Sequence, residues 1–298
     1  MKFRAEKVSK IYGSKNYALK EVSFDIDLNG IFTIIGKNGA GKTTLIRISS
    51  TQLLPTSGKI TIKGYDVVTD AENIREFIAA VPQEARAIPW LTPIQTVLSY
   101  LMWRGYSYRE AKEKGKDALR SLGLGDVENE KNRKLSGGQK RKVLVATVIA
   151  SEAPLIFLDE PTTGLDYLSR KELWNLLSTI KKDRLIILTT HYLEEAEILG
   201  DKIGILDQGK LIGIGNIDEL RGKMKYSYSL KVYSDKLNIN VEDGLIKKSA
   251  NGEIQVYTTK DQVYKIAMKL ITENIRFTVQ EVSLGNIFEF LVGDHIED

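Results

Sequence analysis

Residues 36–43 read Gly36-Lys37-Asn38-Gly39-Ala40-Gly41-Lys42-Thr43. A glycine-rich turn that ends in a lysine and a hydroxyl residue is built to wrap a phosphate chain. Gly36, Gly39 and Gly41 leave room for backbone N–H groups to point inward, and Lys37, Asn38 and Ala40 complete the loop. The helix expected from Thr44 onward adds the positive end of its dipole. Lys42 is placed to reach the outer phosphates, and Thr43 offers a hydroxyl to Mg²⁺. A carboxylate pair, Asp159-Glu160, follows the apolar run Leu155-Ile156-Phe157-Leu158. Asp159 at a strand end fits a magnesium shell, and Glu160, one residue on, fits a general base that addresses water. Between them, Ser136-Gly137-Gly138-Gln139 opens a helix rich in Val and Ala. Ser136 suits an N-cap, and the two glycines leave bare N–H groups that form a second anion site.

These groups need elements to hold them. Residues 1–33 alternate apolar and polar, which predicts antiparallel strands with turns at Gly13-Ser14 and Asn29-Gly30. Phe32-Thr33-Ile34-Ile35 is a buried strand running into the phosphate loop, and Lys59-Ile60-Thr61-Ile62 is another strand before a turn at Lys63-Gly64. Residues 93–122 carry two helical patterns, and residues 136–151 a third. The runs at 155–158 and at Leu185-Ile186-Ile187-Leu188 have the length and composition of strands buried on both faces of a parallel sheet. The pattern changes near residue 225. Residues 226–233 alternate, a hairpin turn is expected at Asn251-Gly252, and residues 261–274 read as an amphipathic helix capped by Asp261. A strand at 277–279 and a helix at 284–292 complete a small α+β domain of about 70 residues, large enough to fold alone only marginally.

Composition narrows the classes. The chain has 298 residues, 42% hydrophobic and 28% charged, as expected of a soluble protein with a core of one large domain plus a smaller one. There is no cysteine, which excludes disulfides, thiolate chemistry and Cys-ligated metal. The net charge of +4 is spread along the chain and is a weak nucleic-acid footprint, so no nucleic-acid partner is expected. The N-terminal residues are charged, with no apolar signal segment. No uncharged run approaches the ~20 residues of a membrane helix.

In order, these motifs resemble the nucleotide-binding domain of the ATP-binding-cassette (ABC) transporter family. The resemblance covers residues 1 to about 222, with a helical subdomain at about 84–150. It rests on seven elements in sequence: Tyr12 in Lys10-Ile11-Tyr12-Gly13, the phosphate loop, Gln83 in Val81-Pro82-Gln83-Glu84, the signature from Leu135 to Gln139, Leu158-Asp159-Glu160, Gly164-Leu165-Asp166, and Thr190-His191. It implies a P-loop NTPase of α/β class, with an antiparallel β subdomain and a helical subdomain. It also implies ATP and Mg²⁺ as ligands. Tyr12 would stack on adenine, with Tyr17 as a rival. Gln83 would touch the metal and the attacking water, His191 the γ-phosphate, and Asp166 would link two active sites. Lys42, Thr43 and Thr44 would hold phosphates, with Thr43, Gln83 and Asp159 at the metal. The ATPase would act as a homodimer, or a heterodimer with a similar subunit. A separate membrane-spanning subunit would carry the transport path, and the chain would lie in the cytoplasm on the inner face of the membrane. Residues 84–104, with Trp90, Tyr100 and Trp103, would meet that subunit.

The segment Val282-Ser283-Leu284-Gly285-Asn286-Ile287-Phe288 is similar to the end of ATPase subunits from drug, sodium and polysaccharide exporters, which implies export. The residues leave a generic accessory role for 223–298 equally open. An ABC-type ATPase acting on nucleic acid or ribosomes remains the alternative, although that class uses coiled-coil insertions or paired cassettes. Because every site motif lies upstream, deleting residues 225–298 is expected to leave ATP binding intact. Loss of nucleotide affinity in a folded truncation, measured by titration, would refute that expectation.

Overall fold

In a computed structural model, residues 1–13, 15–233, 244–248 and 254–292 are described. Ser14 of the first predicted turn, the predicted turn Asn251-Gly252 and His295 lie outside the described residues. The chain divides into two compact units, Met1–Ile214 and Gly215–Asp298.

The first unit opens with β1 (Lys2–Tyr12) and β2 (Asn16–Asp27), an antiparallel pair, followed by β3 (Gly30–Ile35) and α1 (Lys42–Ser49). Next come β4 (Ser57–Ile62), β5 (Tyr65–Asp66), α2 (Ala71–Phe77) and β6 (Ile78–Val81). The helical layer holds α3 (Pro93–Trp103), α4 (Tyr108–Ser121) and α5 (Gly137–Ala150). The chain then runs through β7 (Leu155–Asp159), α6 (Tyr167–Ile180), β8 (Leu185–Thr190), α7 (Leu193–Leu199), β9 (Lys202–Asp207) and β10 (Lys210–Gly215). Two sheets result, in the orders β2-β1-β4-β5 and β10-β9-β3-β8-β7-β6. In the second, β9, β3, β8, β7 and β6 are parallel neighbours. Their C-terminal ends therefore share one edge.

Strands β3, β7 and β8 are apolar along most of their length because both faces are covered, with Thr33, Asp159, Thr189 and Thr190 as buried polar exceptions. Ile156, Leu158, Ile186 and Leu188 pack with Val143, Ala146, Leu173 and Leu177 of the helices on one side. The intervening Leu155, Phe157, Leu185 and Ile187 pack with Leu45 and Ile48 of α1 and with Phe3, Phe24 and Ile60 of the antiparallel sheet on the other. The period-2 alternation thus feeds two cores from one strand. Each such buried side chain contributes about 1.5–3 kcal/mol of apolar burial. Phe3 meets Phe24 edge-on, with ring centroids 4.9 Å apart.

The second unit contains α8 (Ile217–Gly222), β11 (Tyr228–Val232), β12 (Leu245–Lys248), β13 (Ile254–Thr258), α9 (Lys260–Thr272), β14 (Phe277–Glu281) and α10 (Leu284–Val292). Its antiparallel sheet runs β12-β13-β11-β14. Leu230, Val232 and Val256 pack against Val263, Ile266 and Leu270 of α9. Helix α8 belongs here because Arg221 donates to the Val282 carbonyl at 2.9 Å and pairs with Glu281 at 3.3 Å. The composition change near 225 therefore falls after the structural division at 214/215. One cap is corrected: α9 starts at Lys260, so Thr259 occupies the N-cap position and Asp261 lies in the first turn, beside the helix's positive end.

One buried acid ties together three segments. Glu195 of α7 is fully buried and accepts from the Trp174 indole at 2.8 Å and the Thr162 hydroxyl at 3.1 Å. Burial pushes its carboxyl above the ordinary range, and the bonds from Thr190, Trp174 and Thr162 pull back against that. A raised folded-state value means the native chain holds a proton that the unfolded chain has released. Stability from this group is therefore present below pH 4.5 and is lost as pH rises through the folded value. Glu195→Gln removes that slope. Urea unfolding across pH 4 to 8 is expected to show wild-type stability falling relative to the variant, and parallel profiles would sink the assignment.

Candidate functional site

Parallel strands deliver ligand-facing loops at their carboxyl ends. The phosphate loop leaves β3, Pro82-Gln83 leaves β6, Asp159 ends β7 with Glu160 next, and His191 follows β8. The loop closes tightly. A side chain at Gly36 would strike the Leu206 carbonyl at 2.3 Å, and Gly41, at φ +105°, sits against the Ala18 carbonyl. Glycine is required at both. At Gly39 the space is open, and the first-turn N–H groups of α1 have no intrahelical acceptor.

Lys42 is 4% exposed, and its ammonium donates to the Gly36 carbonyl at 2.8 Å and the Lys37 carbonyl at 3.1 Å. It also stands 3.5 Å from Glu160 Oε1. Glu160 is 6% exposed and collects the rest of the site. Its Oε2 accepts from Gln83 Nε2 at 3.4 Å and Thr163 Oγ1 at 3.2 Å, and His191 Nδ1 lies 3.2 Å away. Its backbone is left-handed, at φ +49°. That conformation costs a non-glycine residue about 1–3 kcal/mol. The Glu160 N–H offsets it by donating to the carbonyl and hydroxyl oxygens of Thr189, both at 3.1 Å.

Three oxygen donors converge beside this carboxylate. Thr43 Oγ1 donates to Gln83 Oε1 at 3.5 Å. Thr189 Oγ1 donates to Asp159 Oδ1, while Asp159 Oδ2 is buried with no protein hydrogen bond. Burial pushes the Asp159 carboxyl up, with the Thr189 and Thr43 hydroxyls opposing. A buried, orphaned carboxylate oxygen next to a hydroxyl and an amide oxygen is a hard-oxygen set that suits Mg²⁺. Among the described residues no group of three His, Cys, Asp or Glu is assembled to hold a metal. A cation here must take further ligands from phosphate and water.

The cleft over these groups measures about 620 Å³ and is lined by Tyr12, Tyr17, Asn38, Gly39, Gly41, Lys42, Thr43, Thr44, Gln83, Glu160 and His191, among others. Both tyrosines stand exposed at it. Of the expected residues, Gly36, Lys37, Ala40 and Asp159 do not line this cleft, and neither do Ser136, Gly137, Gly138, Gln139 and Asp166. Ser136 caps α5, accepting from the Gln139 N–H at 3.1 Å while the Gln139 side chain accepts from the Ser136 N–H at 3.0 Å. Gly137 is exposed, and Gly138 faces Leu165. Asp166 caps α6 by accepting from the Ser169 N–H at 2.9 Å.

Sequence reading missed Thr163, Thr189 and Arg141, which surround the Asp159-Glu160 corner. Arg141 stands between Lys140 and Lys142, so nothing in the sequence set it apart from its neighbours. The Arg47–Glu84 pair beside Gln83 was missed as well.

Comparison with known proteins places this geometry. A family model described as ABC transporter matches residues 19–163. ABC transporter A family member 7 of Dictyostelium discoideum is 34% identical over 285 residues, covering 92% of this chain and 34% of that protein. Phospholipid-transporting ATPase ABCA3 of Homo sapiens is 30% identical over 269 residues, covering 87% of this chain and 16% of that protein. The chain spans about a third or less of the length of these curated relatives. Among solved structures, an ATP-binding subunit of an ABC transporter superposes with a TM-score of 0.68 at 29% identity, over 75% of this chain and 93% of that one. The ATP-binding cassette MJ0796, a dimer in a post-hydrolysis state with ADP and Pi, gives 0.67 at 27% identity, over 72% and 98%. The chain belongs to the ABC transporter family, and carries its ATP-binding, ATP-hydrolysing cassette.

Proposed function

We propose that this chain powers transport across a membrane by ATP-driven closure of a cassette dimer. The observation that carries the reading is a division of labour. Residues of the phosphate loop, Gln83, Glu160 and His191 line one cleft, whereas Ser136, Gly138 and Asp166 lie outside it and Gly137 lines an adjoining cavity of about 450 Å³ that also reaches Gln83 and Glu160. A second anion site at the start of a 14-residue helix acquires a use when it closes over ATP held by another copy. The dimeric state of the MJ0796 cassette supports this arrangement.

Each residue then has a task. Backbone N–H groups of residues 36–43 and Lys42 hold the phosphates, and Tyr12 or Tyr17 stacks on the base. Thr43, Gln83 and Asp159 are the residues that would hold Mg²⁺, whose charge would offset that building up on the phosphate oxygens. Glu160 takes the proton of the attacking water, with Gln83 and His191 fixing its orientation. Lys42 and His191 beside Glu160 keep that carboxylate from drifting out of line.

Among the described residues no helix is long and apolar enough to cross a membrane. We assign the transport path to a membrane-spanning partner and place this chain at the cytoplasmic face. Trp90 is 70% exposed and Trp103 81%. The groove between α3 and α4, about 650 Å³, is lined by Leu91, Ile94, Leu98 and Met102 among others. A groove of mixed lining, in which Lys112, Lys116 and Glu128 face these apolar side chains, with exposed tryptophans next in sequence to Leu91 and Met102, suits an amphipathic helical element of the partner. The ABCA relatives favour a transporter over a nucleic-acid-directed ATPase. Export follows from the C-terminal resemblance, and we assign residues 223–298 an accessory role.

Glu160→Gln is expected to bind ATP, hydrolyse it at least ~100-fold more slowly and accumulate as a dimer, because the base is lost while the phosphate contacts remain. Size-exclusion chromatography with ATP reads this directly, and a monomer sinks the closure reading. Pull-down of the tagged chain from solubilised native membranes is expected to recover a multi-span protein in stoichiometric amount. Trp90→Ala with Trp103→Ala should lose that protein and keep basal ATPase. Recovery of ribosomal or DNA-bound material instead overturns the transport reading.

A further inference from the structure

Arg141 is 7% exposed and sits five residues into α5, about 6 Å along the axis from the first helical residue. Its guanidinium is spent on four backbone carbonyls. Nη1 donates to Pro82 at 3.1 Å and Gln83 at 3.4 Å. Nη2 donates to Asp159 at 2.5 Å and Glu160 at 3.2 Å. One nitrogen therefore holds the loop that carries Gln83, and the other holds the loop that carries the carboxylate pair. Nε is buried with no protein partner, so the side chain is aimed at these loops and not at its own full satisfaction. Burial works against its charge, and the nearby Asp159 and Glu160 work for it.

The neighbouring cations do something else. Lys142 pairs with Glu172 at 2.6 Å, and Lys140 makes no bond to either loop. Past Arg141 the helix is buried at Val143, Val145, Ala146 and Val148, which anchors it in the helical core. The strained backbone of Glu160 lies within the clamped segment. A shift at Ser136–Gly138 is thereby passed, through a planar fork, to the two residues that orient water.

We infer that Arg141 is a positioning residue that lets the two ATP sites of a dimer sense one another. The inference rests on the dimer reading above. The N-terminus of α5 contacts ATP held by the other copy, while Arg141 on the same helix sets Gln83 and Glu160 over this copy's own ATP. Contact with the far nucleotide brings the near carboxylate and amide into line. Lysine cannot replace this function, because one ammonium cannot bridge two carbonyl pairs in fixed geometry.

The test compares Arg141→Lys and Arg141→Gln with the unmodified chain. ATP affinity should stay within about twofold, because the phosphate loop is untouched. The turnover number should fall about 10- to 100-fold, as expected for misplacement near 1 Å. The Hill coefficient for ATP should fall from above one to one. A turnover loss with the Hill coefficient unchanged makes Arg141 a local support and overturns the inference, as does a coefficient of one in the unmodified chain. Glu160→Gln separates the two readings: if it stays monomeric with ATP, the dimer reading has failed, and if it dimerises, only the coupling is at stake. Should both Arg141 variants unfold, hydrogen exchange decides in a mixed dimer of a Lys42→Ala chain with an unmodified one. Protection gained together at residues 137–141 and 82–84 of the Lys42→Ala chain supports the inference. Protection at 137–141 alone overturns it.

Discussion

Strands β3, β6, β7 and β8 run parallel and end at one edge, and the chemical groups at the heart of the cleft hang from that edge. Parallel pairing demands crossover segments, and those crossovers are where the helices lie. Helices cover one face, and α1 with the antiparallel sheet covers the other, which is why the strands between them are mostly apolar. Their rigidity is what fixes Lys42, Gln83, Glu160 and His191 within hydrogen-bonding reach of one another. A slip of one residue in β7 would turn Phe157 to the opposite core and swing Asp159 away from Thr189. Burial of the sheet and alignment of the site are one requirement.

Charge balance follows from that alignment. Lys42 and Arg141, both buried, stand against the buried Asp159 and Glu160. Lys42 spends two bonds on loop carbonyls and its remaining attraction on Glu160, so the phosphate loop is already drawn toward the carboxylate. Asp159 keeps one oxygen without a protein donor. Burial disfavours that charge, and a cation at this oxygen would relieve it.

Much of this was legible in the sequence because it is local. The phosphate loop, Asp159-Glu160 and the cap at Ser136 depend on residues within a few positions, and each formed where its spacing indicated. Strands β6 and β9 and helices α6 and α7 drew no notice, since their identity comes from what packs over them. Arg141 and Glu195 could not be assigned roles from the chain alone. Their partners are 18 to 59 and 21 to 33 residues distant, respectively, and only the folded sheet brings them together. The start of α9 shows a smaller version of the same limit: Thr259 and Asp261 are both good capping types, and Thr259 takes the N-cap position without a side-chain capping bond. Helix α8 precedes the pattern change near residue 225, yet Arg221 ties it to the second unit.

The left-handed backbone at Glu160 bears on how such a site can change. Glycine or asparagine would sit there with less strain than glutamate, but either would leave the buried Lys42 ammonium without its carboxylate. Backbone strain and ion pairing therefore pull in opposite directions at a single residue. A cassette that dispensed with this glutamate would exchange one folding cost for another, and would not simply relax.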